Sequence, residues 1–208
     1  MITAQPSDPA PDFWIRLGGW LFSRRTWLPL PIVVALLLVP SDSGPFSFLT
    51  PLSWLGVPLL WVGEGVRLWA VRHIGVISRT RSDRLGPLVS TGPFSLVRNP
   101  LYLGNILLWL GLTVSARLFW LAPLVFALLA LEYHAIVRWE ERLLTTRIGD
   151  RYREYLTRVP RWRPLVSKPT QGADSFTWRE TLFSERGTLI AIVVGYLLLW
   201  VKELIADS

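Results

Sequence analysis

The chain has 208 residues, one domain's worth, of which 51% are hydrophobic and only 18% charged, with a formal net charge of +7. A soluble domain carries about 25% charged residues. Here the apolar residues gather in long runs with arginines between them, which describes a polytopic membrane protein with basic loops on an anionic leaflet and argues against nucleic acid as a partner. The lack of Cys excludes disulfides and thiolate-bound metals, and two distant histidines, His73 and His134, make no metal cluster.

In chain order, Met1 to Pro11 is polar and Pro-rich, unlike a secretory signal. Asp12 to Phe22 places apolar residues at helical spacing, as an interfacial amphipathic helix or the start of the first span. Arg24 and Arg25 read as holding the cytoplasmic end of that span, because no small-residue cleavage site follows to make them an export signal. The first span is predicted over Trp27–Val39, extended from Trp20 by snorkelling arginines, and a Pro/Ser/Gly turn follows from Pro40. The second span, Leu52–Ala70, contains Glu64 and Arg67 at i and i+3. A polar, Arg-bearing loop then runs from Arg72 to Asn99.

Spans three, Leu101–Val114, and four, Leu118–Trp139, form a hairpin through Ser115-Ala116-Arg117. Trp139–Leu156 reads as a charged helix leaving the membrane, Val159–Phe176 as irregular, and about 188–201 as an extra C-terminal span. The fold class is therefore all-α: a single-domain polytopic bundle of about five transmembrane helices, with a cytosolic helix and loop before the last span. The positive-inside rule puts the N-terminus and the two arginine-rich segments on the cytoplasmic side of the inner membrane.

Three segments carry chemistry. In Gly92-Pro93-Phe94-Ser95-Leu96-Val97-Arg98-Asn99-Pro100-Leu101-Tyr102, a turn leads to an N-cap (Asn99) and a first-turn proline (Pro100). That helix terminus, beside Arg98, suits an anionic group, and it suits an ordinary capped membrane helix equally. The second segment is the intramembrane set Glu64, Arg67, Glu132 and His134, in which Glu132, Ile136 and Glu140 share one helical face. Charges in hydrocarbon face a cavity or a partner, so Glu64 and Arg67 read either as a structural ion pair or as cavity lining. The third runs from Glu140-Glu141 through Gly149, Tyr152 and Tyr155 to Val159-Pro160-Arg161, by itself an amphipathic helix and a Pro-stopped loop.

In order and spacing, G-P-F-x-x-V-R-N-P-x-Y-x-G, E-E-x-x-L and G-x-x-Y-x-x-Y-x-x-x-V-P-R together resemble the isoprenylcysteine carboxyl methyltransferase-like family, relatives of the phospholipid N-methyltransferases. The resemblance covers about 63–164 and departs from the family at Asn99, where Arg-His-Pro is usual. It implies a helical membrane enzyme that holds S-adenosylmethionine in a cytosol-facing pocket closed by the C-terminal cytosolic segment. A lipophilic acceptor would arrive from the bilayer lipids, and its nucleophile is left open among a carboxylate, a lipid amine and a thiol. The donor-binding residues it implies are Gly63, Gly65, Gly92, Leu96, Arg98, Asn99, Pro100, Tyr102, Glu140, Glu141 and Tyr152. The candidate catalytic residues are Glu132, His134 and Arg67: Glu132 or His134 as the base for an amine or thiol acceptor, and Arg67 unless its pairing with Glu64 leaves it only to shape the acceptor cavity. Two other classes fit the same residues: an NADPH-dependent membrane reductase of related architecture, and a non-catalytic scaffold.

Overall fold

This computed structural model describes residues 12–41, 51–75, 88–172 and 176–206. The expected turn after Pro40 and most of the arginine loop from Arg79 to Arg84 lie outside them. Among the described residues every regular element is helical: α1 Phe13–Arg24, α2 Leu30–Leu38, α3 Pro51–Ile74, α4 Pro100–Ser115, α5 Ala122–Ile148, α6 Asp150–Arg158 and α7 Trp178–Ala206.

The N-terminal segment is a helix of its own rather than the opening of a long span. Asp12 caps it, its carboxylate accepting from the Ile15 N–H at 2.9 Å. α1 then lies along α5: Arg138 pairs with Asp12 at 2.6 Å, Trp14 meets His134 edge-on, and Phe22 packs on Trp139. Gly18 presses on the Ala135 carbonyl and leaves no room for a side chain. A turn with Pro29 separates α1 from α2, which has nine residues and covers about 14 Å.

α3 runs to Ile74, beyond the expected end at Ala70, with Arg72 and His73 in a last turn where positive charge is favoured. It pairs closely with α4 because glycines face each other. A Cβ at Gly63 would sit 2.6 Å from the Gly104 carbonyl and 2.7 Å from the Leu108 nitrogen. The fourth expected span and the charged helix after it are one continuous element, α5, of 27 residues. It stops at Gly149, whose φ of +71° turns the chain into α6.

α7 starts at Trp178, about ten residues before the expected span. Its two ends are tied down. Arg72 stacks on Trp178 at 4.3 Å near the first turn, while Lys202 donates to the Leu36 and Val39 carbonyls at 2.8 and 2.5 Å near the last. Midway, Tyr196 and Ser115 share a hydrogen bond of 2.9 Å.

Leu36, Leu60, Leu112, Leu129, Ile136, Ile192 and Leu199 join α2, α3, α4, α5 and α7 in the main core. A smaller cluster, Tyr152, Tyr155 and Val159 with Leu88 and Leu144, holds α6 against the loop before α4. Apolar side chains also cover the outside of α5 and α7, among them Leu124, Phe126, Leu131, Ile190, Val193, Leu197 and Trp200. Such surface suits acyl chains and not water.

Two of the expected spans meet the length and hydropathy needed to cross a membrane. Among the described residues, α5 and α7 are long and apolar enough to cross a membrane, and α4 is apolar but has 16 residues. α2 is too short, and α3, although 24 residues long, carries Glu64, Arg67 and Arg72. Length and composition by themselves thus show two crossings among the described residues, α5 and α7, out of the five that the sequence pattern predicts.

Candidate functional site

The segment before α4 owes its shape to one glycine. Gly92 has φ +56°, and the His73 ring occupies the space that a side chain would need. The 3-10 turn Gly92–Ser95 follows. Its polar groups are taken up by the stretch between α6 and α7. The Gly92 N–H donates to the Thr170 carbonyl at 2.9 Å, and the Thr170 N–H donates to Ser95 Oγ at 2.9 Å. The Leu165 N–H reaches the Leu96 carbonyl at 2.9 Å and the Arg98 N–H reaches the Pro160 carbonyl at 3.0 Å. Tyr155 adds its hydroxyl to the Phe94 carbonyl at 2.7 Å. Two segments read separately in the sequence therefore form one laced unit.

Asn99 is the residue before α4, as expected, but its side chain does not cap the helix. It donates to the Arg161 carbonyl at 3.2 Å instead, because Pro160 and Arg161 lie against it. Pro100 takes the first helical position as predicted.

Charge concentrates beside this unit. Arg98 donates to Glu141 Oε1 at 2.7 Å, and Arg161 donates through Nε to Oε1 at 3.1 Å and through a terminal nitrogen to Oε2 at 2.5 Å. Glu141 is 8% exposed. Its hydrogen bonds with Arg161 hold that guanidinium's pKa above its usual value, against desolvation. One turn of α4 further on, the Tyr102 hydroxyl donates to Glu140 Oε1 at 2.9 Å, and its ring stacks on Tyr133 at 4.7 Å.

Behind Tyr102 opens a cavity of about 540 Å³ bounded by α3, α4, α5, α7 and the α1–α2 turn. Arg25, Arg67, Tyr102, Asn105, Glu132 and Tyr133 line it, with Leu60, Leu112 and Ile192 among its apolar walls. Arg67 is the polar hub. It lies 3.4 Å from Glu64, donates to Thr188 at 3.1 Å, and is bonded to Asn105 and to Glu185 of α7. The pairing of Glu64 with Arg67 follows from their i, i+3 spacing; Glu185, Asn105, Arg25 and Arg161 were not among the sequence candidates. For Arg161 the signal was its place in the Val159-Pro160-Arg161 motif; for Glu185 and Asn105 the pattern held none.

Not every candidate converges on this place. Glu132 lines the cavity and Glu140 approaches its edge, two turns apart on one face of α5. His134 is turned away against Trp14 of α1. Gly63 packs on α4, and Gly65 is exposed with nothing within 4 Å of an added Cβ. Tyr152 belongs to the smaller core with Tyr155, 5.8 Å between rings. Burial raises the hydroxyl pKa of both tyrosines, and nearby Glu141 adds to it. Among the described residues no cluster of His, Asp or Glu forms a metal site.

Comparison with known proteins gives the kinship. The family model described as phospholipid methyltransferase matches residues 52–151. That range starts before the expected 63–164 and stops short of the Val159-Pro160-Arg161 segment. The nickel-cobalt-cadmium resistance protein NccN of Alcaligenes xylosoxydans xylosoxydans is 30% identical over 173 residues, which are 80% of this chain and 75% of NccN. The cobalt-zinc-cadmium resistance protein CzcN of Cupriavidus metallidurans is 34% identical over 156 residues. That alignment takes in 73% of this chain and 65% of the length of CzcN. No solved structure matches. The chain belongs to the phospholipid methyltransferase family.

Proposed function

We propose that the protein is an integral membrane enzyme that transfers a methyl group from S-adenosylmethionine to a lipophilic acceptor. The observation that carries this reading is convergence. Arg98, Tyr102, Glu140, Glu141 and Arg161, from three separate stretches of sequence, meet at one end of the bundle, beside a largely apolar cavity that holds a few polar side chains.

The residues fit the donor. Its carboxylate matches Arg98 and Arg161, and its ammonium and ribose hydroxyls match Glu140 and Glu141. The cavity volume of about 540 Å³ lies in the range of small-molecule sites. When bound, the donor supplies an electrophilic methyl on a sulfonium. The chain's own part is alignment and exclusion of water: the Tyr102–Tyr133 stack and the apolar walls form a dry channel, and the laced loop holds Arg98 and Arg161 in place. Gly92, Leu96, Asn99 and Pro100 act in this reading through the backbone, by fixing that loop and the start of α4.

α2, α3, α4, α5 and α7 are the segments assigned to the bilayer, with the N-terminus and the Arg98–Glu141 end facing the cytoplasm of the inner membrane. Charge placement supports this orientation: Arg24, Arg25, Arg72, Arg98 and Arg161 belong to connections at one end. The names of CzcN and NccN associate those proteins with metal resistance. With no Cys and two histidines in this chain, we assign its part in such a process to modification of a membrane constituent.

The test is transfer of labelled methyl groups. Membranes containing the protein, incubated with methyl-tritiated S-adenosylmethionine, are expected to move label into the organic-extractable fraction. Label equal to that of membranes carrying Arg98→Ala would refute the assignment.

A further inference from the structure

Three carboxylates and two guanidiniums surround the cavity, and they are not evenly matched. Glu64 and Glu185 both serve Arg67. Arg25 lines the cavity from the α1–α2 turn, its guanidinium over the Phe22 ring at 4.1 Å. Glu132 is left over. It is 9% exposed and lines the cavity, and among the described residues no hydrogen bond or ion pair reaches it. A buried carboxylate without a partner is costly, and such groups mark the place of a ligand that satisfies them.

Its position is set by the helix. Glu132 lies eight residues before Glu140 on the same face of α5, which puts it about 12 Å deeper along the axis. Tyr133 and Tyr102 stand between the two levels, stacked at 4.7 Å. The wall facing the cavity from α7 is made of Gly187, Thr188, Ala191 and Ile192, three of them small. They leave width for a head group at the depth where α7 approaches α3.

We infer, resting on the methyl-transfer reading, that Glu132 receives the acceptor's head group and that this head carries a hydrogen on nitrogen or sulfur, not a carboxylate. An ionised carboxylate head would face Glu132 at close range in a poorly solvated space, where like charges disfavour each other. A head that donates a hydrogen bond satisfies Glu132 instead. In the reaction the acceptor's lone pair forms the bond to the methyl carbon. The carbon–sulfur bond breaks with its pair going to sulfur, and the head's proton passes to Glu132. The products are the methylated acceptor, S-adenosylhomocysteine and protonated Glu132. His134, against Trp14 and outside the cavity lining, takes no part.

The experiment compares three ten-carbon probes, decylamine, decanethiol and decanoate, on the full chain in one detergent, so that partition into micelles cancels between variants. Binding is read by calorimetry and methyl transfer by label from S-adenosylmethionine. Wild type is expected to bind decylamine and decanethiol at least about tenfold more tightly than decanoate, a difference of about 1.4 kcal/mol, and to methylate them. Glu132→Gln, still binding S-adenosylhomocysteine, is expected to lose that preference and the transfer, with Glu132→Asp recovering part of both. Decanoate bound or methylated as well as the others, no probe bound at all, or a preference that survives in Glu132→Gln would each overturn the inference. A preference that depends on Glu132 in a protein that binds no S-adenosylhomocysteine would uphold the head-group site and overturn the methyl-transfer reading.

Discussion

Replacing Glu141 with glutamine removes the one negative charge that Arg98 and Arg161 share. Three charge-assisted hydrogen bonds of 2.7, 3.1 and 2.5 Å weaken together. Their settings differ: the side chains of Glu141 and Arg98 are 10% and 14% exposed, and Arg161 is 31% exposed. Removing one member of a buried pair costs about 3–5 kcal/mol. Because glutamine keeps one acceptor and Arg161 is partly solvated, the expected loss is about 2–3 kcal/mol. The loss is local first, since Arg161 sits in the stretch that laces residues 160–170 to residues 92–98. Tryptic cleavage after Arg161, whose next residue is Trp162, therefore accelerates before the helices melt. The control is Glu154→Gln, which breaks an exposed pair of 3.5 Å with Arg158 and is expected to cost under about 0.5 kcal/mol. If Glu141→Gln melts and is cleaved like Glu154→Gln, the cluster does not hold the loop.

Three further outcomes follow from the same geometry. Gly65→Ala is expected to be tolerated and to gain up to about 1 kcal/mol of helix stability, whereas Gly63→Ala, facing the Gly104 carbonyl at 2.6 Å, separates α3 from α4 and lowers the melting temperature in detergent. Burial raises the Tyr152 and Tyr155 hydroxyls above the ordinary tyrosine value near 10, so the fold favours their protonated forms. Their contribution is intact below about pH 10 and is lost as the pH rises through the higher folded values. Tyrosinate absorbance followed alongside loop proteolysis should show α6 loosening in that range, and Tyr155→Phe, which lacks the bond to the Phe94 carbonyl, should show faster proteolysis already at neutral pH. Tyr102→Phe frees Glu140 from its 2.9 Å donor while keeping the stack on Tyr133. It is expected to weaken donor binding several-fold and to lower the melting temperature modestly, because Glu140 loses that donor.

Much of this arrangement can be read from the chain, and the rest depends on contacts that sequence spacing does not encode. Pro100 announces the start of α4 because a proline fits a first helical turn. Glu64 and Arg67 announce their pairing by an i, i+3 interval within one helix. The motif residues announce a site because their types recur in that order. Asn99 misleads: its residue type favours capping, and the Arg161 carbonyl, 62 positions away, outcompetes the helix for its side chain. Gly63 and Gly65 look alike in the sequence, yet α4 covers only one face of α3 and the two glycines point to different faces. Glu185 belongs to Arg67 only once α7 is laid across α3, a contact spanning 118 residues. Helix bounds are hard to read for a similar reason. Apolar runs show where a chain avoids water, but the turn at Pro29 decides where one helix stops and the next begins.

The most direct test of the account is calorimetric titration of S-adenosylmethionine and S-adenosylhomocysteine into the detergent-purified protein, with NADPH as the control and with Arg98→Ala and Glu140→Gln alongside wild type. The account predicts micromolar binding of the first two ligands to wild type, loss of at least about tenfold in each variant, and no heat from NADPH. Binding of NADPH alone, or unchanged donor affinity in both variants, would contradict it.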